Sequence, residues 1–167
     1  MRKFIISSLI GLSLAGPAAA GFNRWSSETE QDPFSGGKRV TVDYMSSIRS
    51  GVLIICDTKE TGVMVRAIPG FVFEDTLSAA TPEIEFAIDG VRILGQIGQT
   101  GAVGDNLAVA QTMLTKENAE TFVAAFAGAR KQVAVKDGIS DRPYLLSARG
   151  STKAGEDLVG CMNGQAQ

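Results

Sequence analysis

Val52-Leu53-Ile54-Ile55-Cys56 is apolar at every position and rich in β-branched residues. An uninterrupted run of this kind is typical of a strand that is covered on both faces at the centre of a sheet. The polar stretch Asp57–Gly62 follows it, and Val63–Ile68 is apolar again up to Pro69-Gly70. We therefore expect the two apolar runs to form a β-hairpin in the middle of the fold.

Further strands on either side of this hairpin are predicted by apolar residues that recur at every second position. In the segment before it, Val40, Val42 and Tyr44 fall on one face, as expected for a half-buried strand. Turns rich in Pro and Gly are predicted at Asp32–Gly37 and at Thr100–Asp105. The stretches with strand character are 38–45, 84–88, 91–99, 106–111, 131–136 and 143–148.

Helical signals are confined to the last third of the chain. Thr115 is a good N-cap, Phe122, Val123 and Phe126 follow at helical spacing, and Gly128 can end the helix, which predicts a helix over about 115–128. Ser151 is the expected cap of a second helix over about 151–162.

We therefore predict one β-rich domain over residues 21–167. Its fold class is α+β: a mostly antiparallel sheet or sandwich with the two short helices. An alternating strand–helix rhythm, which would indicate a parallel sheet, is missing from the sequence.

Residues 1–20 have the composition of a secretory signal. Met1-Arg2-Lys3 is basic, Phe4–Ala15 is largely apolar, and Ala18-Ala19-Ala20 is a small-residue exit, which predicts cleavage between Ala20 and Gly21. The apolar run is about a dozen residues long, whereas a spanning helix needs about 20. We expect a periplasmic or secreted protein with no membrane span after the signal is removed.

Charge and composition bear on the class of partner. The chain carries 16 basic and 18 acidic residues, and the signal removes Arg2 and Lys3, so the mature protein is acidic. The mature sequence contains no cluster or stripe of basic residues, which argues against nucleic acid as a partner. The chain has no histidine, so Ser-His-Asp and Cys-His mechanisms and imidazole-ligated zinc are excluded. We predict no cofactor, no metal site and no catalytic residue.

Two cysteines, Cys56 and Cys161, remain far apart in the sequence. In an oxidising compartment a lone pair most simply bonds to itself. Ala154, Leu158 and Cys161 lie at i, i+4 and i+7, which turns Cys161 inward, towards the strand that carries Cys56. We predict a Cys56–Cys161 disulfide; two buried free thiols are the alternative.

Several side chains are candidates for function, each with a structural alternative. Trp25, Tyr44 and Tyr144 are candidate binding residues because aromatics anchor interfaces, although a core position is expected more often. Glu83 and Glu85 share the solvent face of one predicted strand and are the best pair for glycoside cleavage, which needs two carboxylates. Ser35 and Lys38 have the S-x-x-K spacing of acyl enzymes without the other motifs of that class, so a turn is expected there.

The arrangement of Trp25, Asp32-Pro33, an alternating strand, Leu53-x-x-Cys56 and a final cysteine after a short helix resembles a family of Gram-negative periplasmic proteins. This is the accessory family associated with type VI secretion (the VasI/TagO type), with similar uncharacterised exported proteins. The resemblance implies a non-enzymatic, disulfide-bonded periplasmic domain. The matching stretches are Trp25–Val40, Leu53–Cys56 and roughly Leu145–Cys161.

The leading hypothesis from the sequence is a non-catalytic exported domain that binds another envelope or periplasmic protein. The alternatives are a carboxylate-dependent cell-wall glycan hydrolase, and a secreted inhibitor or effector that presents Thr100–Asp105 as a protruding loop.

Overall fold

The computed structural model describes residues 22–34 and 36–165. The predicted signal over 1–20, its cleavage site at Ala20 and Gly21, and Ser35 lie outside the described residues. The strands are β1 Ser26–Gln31, β2 Lys38–Met45, β3 Gly51–Asp57, β4 Val63–Ile68, β5 Glu83–Ile88, β6 Val91–Ile97, β7 Gln99–Val103, β8 Leu107–Leu114, β9 Gln132–Lys136 and β10 Tyr144–Ser147, and the helices are α1 Lys116–Ala127 and α2 Ser151–Met162.

The strands form two sheets in which the neighbours are antiparallel. The larger has six strands in the order β1-β2-β3-β4-β8-β7, and the smaller has four in the order β10-β9-β5-β6. The two helices pack against each other. Helix α1 also packs on β5, β6 and β8, and α2 packs on β1, β2 and β3. The predicted α+β class, mostly antiparallel with two short helices, is confirmed.

The predicted central hairpin is confirmed as β3 and β4, with Leu53 opposite Arg66. Val52, Ile54 and Cys56 are fully buried in the core. On the opposite face of β3, Ile55 is buried but Leu53 only half-buried, so this face is covered less completely than the continuous apolar run predicts.

The predicted turn at Thr100–Asp105 is wrong for most of its length. Gln99–Val103 is strand β7, paired with β8, and the turn is limited to residues 104–106. Gly98 separates β6 from β7, so one nearly continuous stretch passes from the small sheet into the large one. A Cβ at Gly98 would lie 2.4 Å from the backbone oxygen of Gln111, so the sheets can meet this closely only at a glycine.

A further strand was not expected from the sequence. Ser26–Gln31 forms β1 and pairs with β2 at six consecutive positions without a bulge. The segment is polar throughout, so it lacks the apolar alternation by which the other strands are recognised.

Both predicted helices are present. The Thr115 hydroxyl accepts a hydrogen bond from the Asn118 N–H, and α1 ends at Gly128. The predicted cap of α2 is wrong by one position, because Gly150 is the N-cap residue and Ser151 is buried in the first turn. Ala154, Leu158 and Cys161 face inward, as predicted.

The predicted disulfide is confirmed. Cys56 of β3 and Cys161 of α2 are bonded, with their Cα atoms 6.2 Å apart. Gln165 holds the chain beyond the bridge, because its side-chain amide donates to the backbone oxygens of Gly62 (2.7 Å) and Asp57 (3.1 Å) and accepts from the Gly62 N–H (3.1 Å). The end of α2 is therefore fixed to the β3–β4 hairpin by a covalent bond and by hydrogen bonds.

Replacing both cysteines by alanine should lower the free energy of unfolding by up to about 4–5 kcal/mol, because the open chain regains the entropy of a loop of about 105 residues. Urea denaturation followed by circular dichroism measures this change. Reduced wild-type protein is the control and should shift in the same direction. An unchanged urea midpoint in both samples would show that the bridge contributes nothing to stability.

Candidate binding surface

Two of the three aromatic candidates lie in the core. The Trp25 ring is 1% exposed and packs edge-to-face on Tyr44 (5.1 Å between centroids) and Phe126 (4.9 Å). Its indole N–H donates to the Ser147 backbone oxygen at 3.0 Å, which satisfies the one polar atom of a buried tryptophan. Trp25 and Tyr44 therefore join the large sheet to α1 and β10, and their side chains are not presented at the surface.

Tyr144, the third aromatic candidate, is half-buried and has an internal partner. Its hydroxyl donates to the buried Asp137 carboxylate at 3.2 Å, and Asp137 also accepts from the N–H groups of Ile139 and Ser140. Burial and the negative charge of Asp137 raise the pKa of Tyr144 well above its ordinary value. The phenol therefore stays protonated and stabilises the loop between β9 and β10.

The carboxylate pair Glu83 and Glu85 lies on the outer face of the small sheet, among cations. The Arg92 guanidinium donates to Glu85 at 2.8 Å and to Glu83 at 3.2 Å, and the Lys136 amine donates to Glu85 at 2.9 Å. The hydrogen bonds from Lys136 and then Arg92 lower the pKa of Glu85. A glycosidase acid needs a raised pKa, so this pair is arranged as a surface ion-pair network.

A hollow lies between the two helices, near the end of α2 that carries the disulfide. The helices approach closely at Gly155, where a Cβ would lie 2.5 Å from the Ala127 Cβ, and the hollow is lined by residues of both helices together with Thr61 and Gln165. The hollow has a volume of about 300 Å³. Among the described residues that line it, Glu120 is the single carboxylate, whereas glycoside cleavage needs two.

Neither a metal centre nor a membrane helix is found in the part of the chain that the structure describes. No group of three or more Cys, Asp or Glu side chains in residues 22–34 and 36–165 could hold a metal ion. In the same residues, neither helix is long and apolar enough to cross a bilayer.

The outer edge of β1 exposes backbone hydrogen-bonding groups. Asp32 N–H donates to the Gly37 oxygen at 2.9 Å, and the Thr58 N–H donates to the Lys38 oxygen at 2.9 Å, so Gln31 and Lys38 form a pair without mutual hydrogen bonds. Pairs with and without mutual hydrogen bonds alternate along two antiparallel strands. The backbone N–H and C=O groups of Ser27, Thr29 and Gln31 therefore point away from β2.

This open edge has a defined start. The outward N–H of Trp25 donates to the Arg149 oxygen at 2.8 Å, so the approach to α2 covers the edge there. Beyond Trp25, α2 crosses the inner face of β1 towards β3, and Glu28–Gln31 is exposed. Three N–H and three C=O groups, spread over about 17 Å of strand, are therefore open to pairing with a seventh strand added to this six-stranded sheet.

The other sheet edges are protected by different features. The register of β6 shifts at Ile93, and the Gln96 side chain on the same strand accepts from Asn118 of α1 at 2.8 Å; a bulge discourages further pairing. On β10, which has four residues, the Ser147 oxygen is occupied by the Trp25 indole. On β7, the Thr100 hydroxyl donates to the Leu77 oxygen, so the preceding loop lies beside it.

Sequence reasoning missed the β1 edge, although one signal was available. The turn Asp32–Gly37 was predicted from its Pro and Gly residues, and a strand was predicted directly after it. A turn followed by a strand indicates a hairpin, and six residues without Gly or Pro precede this turn. That hairpin would have placed Ser26–Gln31 beside β2.

Comparison with known proteins gives no match for this chain. No family model, curated protein or solved structure matches it. Function therefore has to be argued from the described residues themselves.

The pKa of the Glu85 carboxyl should lie below its ordinary value of 4.5 and rise towards it in Lys136→Met, which removes the partner that lowers this pKa most. The pKa of Glu85 is lower in the folded protein than in the unfolded chain. Its ion pairs therefore stabilise the fold above the ordinary pKa, and this stabilisation is lost as the pH falls through the lowered pKa. Carboxyl ¹³C shifts followed through a pH titration measure both values. Lys59→Met, in the turn between β3 and β4, is the matched control, and a native Glu85 pKa above 4.5 would restore the hydrolase alternative.

Amide hydrogen exchange in β1 should alternate from residue to residue. The N–H groups of Glu28 and Glu30 are bonded to β2 and should exchange slowly, whereas those of Ser27, Thr29 and Gln31 face solvent and should exchange fast. Two-dimensional NMR after transfer into D₂O resolves each amide. Strand β2, which has partners on both sides, is the internal control, and uniform protection along β1 would show that its edge is covered.

Proposed function

We propose that the mature chain is a non-catalytic, periplasmic or secreted domain that binds another envelope protein through the open edge of β1. The observation that carries this proposal is the set of outward backbone groups on Ser27, Thr29 and Gln31. An extended segment of a partner gains main-chain hydrogen bonds when it adds to such an edge. The rest of the fold holds this edge in place.

The proposed location is supported by the disulfide and by the composition of the first 20 residues. Disulfides persist in oxidising compartments and are rare in the cytosol. A signal-like segment ahead of a disulfide-bonded domain is the combination expected of an exported protein. The resemblance of Trp25–Val40 and Leu53–Cys56 to type VI secretion accessory proteins adds support for an envelope partner.

The two alternatives have less support from the described residues. The pair Glu83 and Glu85 is neutralised by Arg92 and Lys136 on an open sheet face, which is unlike the cleft of a glycosidase. An inhibitor loop at Thr100–Asp105 is disfavoured because most of that segment is β7.

Site-specific photo-crosslinking in cells that produce the protein natively tests the proposal. A photoreactive residue in place of Gln31, at the edge, should yield a discrete adduct with an envelope protein. The same residue in place of Glu117, which is exposed on α1, is the control and should not yield it.

A second substitution connects the adduct with the edge itself. Thr29→Pro removes one outward N–H but leaves the bonds between β1 and β2, because Thr29 contributes no N–H to that ladder. The adduct should disappear in Thr29→Pro and persist in Thr29→Ala. An adduct that forms equally well in Thr29→Pro, or from Glu117 alone, would contradict binding at this edge.

A further inference from the structure

We infer that the partner segment is an extended basic strand, with Lys or Arg at alternate positions, that pairs antiparallel with β1. This inference rests on the proposed function and adds the chemistry of the partner. It is carried by the order of charges across the outer face of the large sheet and by the backbone orientation of β1.

The first observation is a row of alternating charge that ends at the open edge. Glu30 lies opposite Arg39 of β2, and Arg39 lies opposite Asp57 of β3, all on the outer face. Across neighbouring strands, opposite charges in facing positions stabilise and like charges destabilise. The next position in this row, beyond Glu30, falls on an added strand and favours a cation.

The second observation is that β1 carries another carboxylate on the same face, two residues before Glu30. Glu28 lies on the same face as Glu30, and β1 contains no basic residue. Successive residues on one face of a strand are about 7 Å apart. A partner with a cation at every second position therefore meets both carboxylates at once.

The backbone geometry brings these charges close together. Because Ser27, Thr29 and Gln31 supply the hydrogen bonds to the added strand, Glu28 and Glu30 occupy the pairs without mutual hydrogen bonds. In such antiparallel pairs the Cα atoms are about 4.5 Å apart, nearer than in hydrogen-bonded pairs. Each cation of the partner would therefore lie at the shorter of the two cross-strand distances.

The other face of the added strand requires a different kind of side chain. Ser27, Thr29 and Gln31 point to the inner face and are uncharged. The Ser27 hydroxyl hydrogen-bonds the Asp157 carboxylate, and Asp157 is paired with Lys153. Small polar residues therefore suit these positions of the partner, which gives a Lys-Thr type of alternation.

A second copy of the chain does not meet these requirements. If two β1 strands paired antiparallel about Thr29, Glu28 of each copy would lie directly opposite Glu30 of the other. Four carboxylates would then share one face without a cation between them, which is destabilising. The acidic edge therefore opposes self-pairing and selects a basic segment.

Synthetic peptides added to the mature protein test the inference. The probes are end-blocked Lys-Thr, Gln-Thr, Glu-Thr and Lys-Pro repeats of equal length, with affinity measured by fluorescence anisotropy. The Lys-Thr peptide should bind about five- to tenfold more tightly than Gln-Thr, Glu-Thr should bind least, and Lys-Pro, which cannot form a regular ladder, should bind weakly.

Protein variants separate charge from strand pairing. Glu28→Gln with Glu30→Gln should remove the preference for Lys-Thr over Gln-Thr, and Thr29→Pro should abolish binding of both, whereas Thr29→Ala retains it. Urea midpoints of the variants check that β1 remains folded. On binding, the amides of Ser27, Thr29 and Gln31 should become protected from exchange.

The outcomes distinguish this inference from the proposed function. If Gln-Thr binds as tightly as Lys-Thr and Thr29→Pro abolishes both, the edge remains the binding surface and the basic partner is overturned. If Lys-Pro equals Lys-Thr, or Thr29→Pro has no effect, the attraction is charge alone and strand addition is overturned. If no peptide binds while the Gln31 adduct forms in cells, only the partner chemistry fails.

Discussion

The covalent bond between β3 and α2 is the constraint on which the rest of the structure depends. Helix α2 begins beside Trp25 at the margin of the large sheet and ends at Cys161, bonded to Cys56 in the sheet's interior. Its path across the inner face is therefore fixed at both ends. Because α2 leaves the margin directly after Arg149, the edge of β1 is covered at Trp25 and free from Ser27 onwards. The bridge and the hydrogen bond from Trp25 to Arg149 together fix the path of α2, which leaves the rest of this edge open.

Much of the fold could be predicted from the sequence because burial leaves a periodic pattern. The continuous apolar run at Val52–Cys56, the alternation in β2 and β5, and the cap and apolar stripe of α1 are local signals of contact with the core. The inward direction of Cys161 followed from the same helical period. These elements have in common that their own side chains fill the core, so their own residues reveal them.

The candidate surface could not be predicted in this way, because β1 is held by pairing rather than by burial. Its side chains are polar on both faces, and it is a strand because the hairpin turn places it against β2. Strand β7 was missed for a related reason: its glycine suggested a turn, but β8 supplies its hydrogen bonds. Conversely, Trp25 and Tyr44 are large aromatics that could serve an interface, and only the packing of β10 and α1 around them decides that they lie inside.

The same disulfide determines which parts of the chain stay covalently joined after a single proteolytic cut. Residues 56–161 form a covalently closed loop, so a single nick at an exposed turn within it, such as 104–106, leaves one molecule. The exposed turn Ser46–Arg49, between β2 and β3, lies outside that loop. One cut there would leave β1 and β2 attached to the remainder only by hydrogen bonds and packing, so the strand with the open edge is no longer covalently joined to the closed loop.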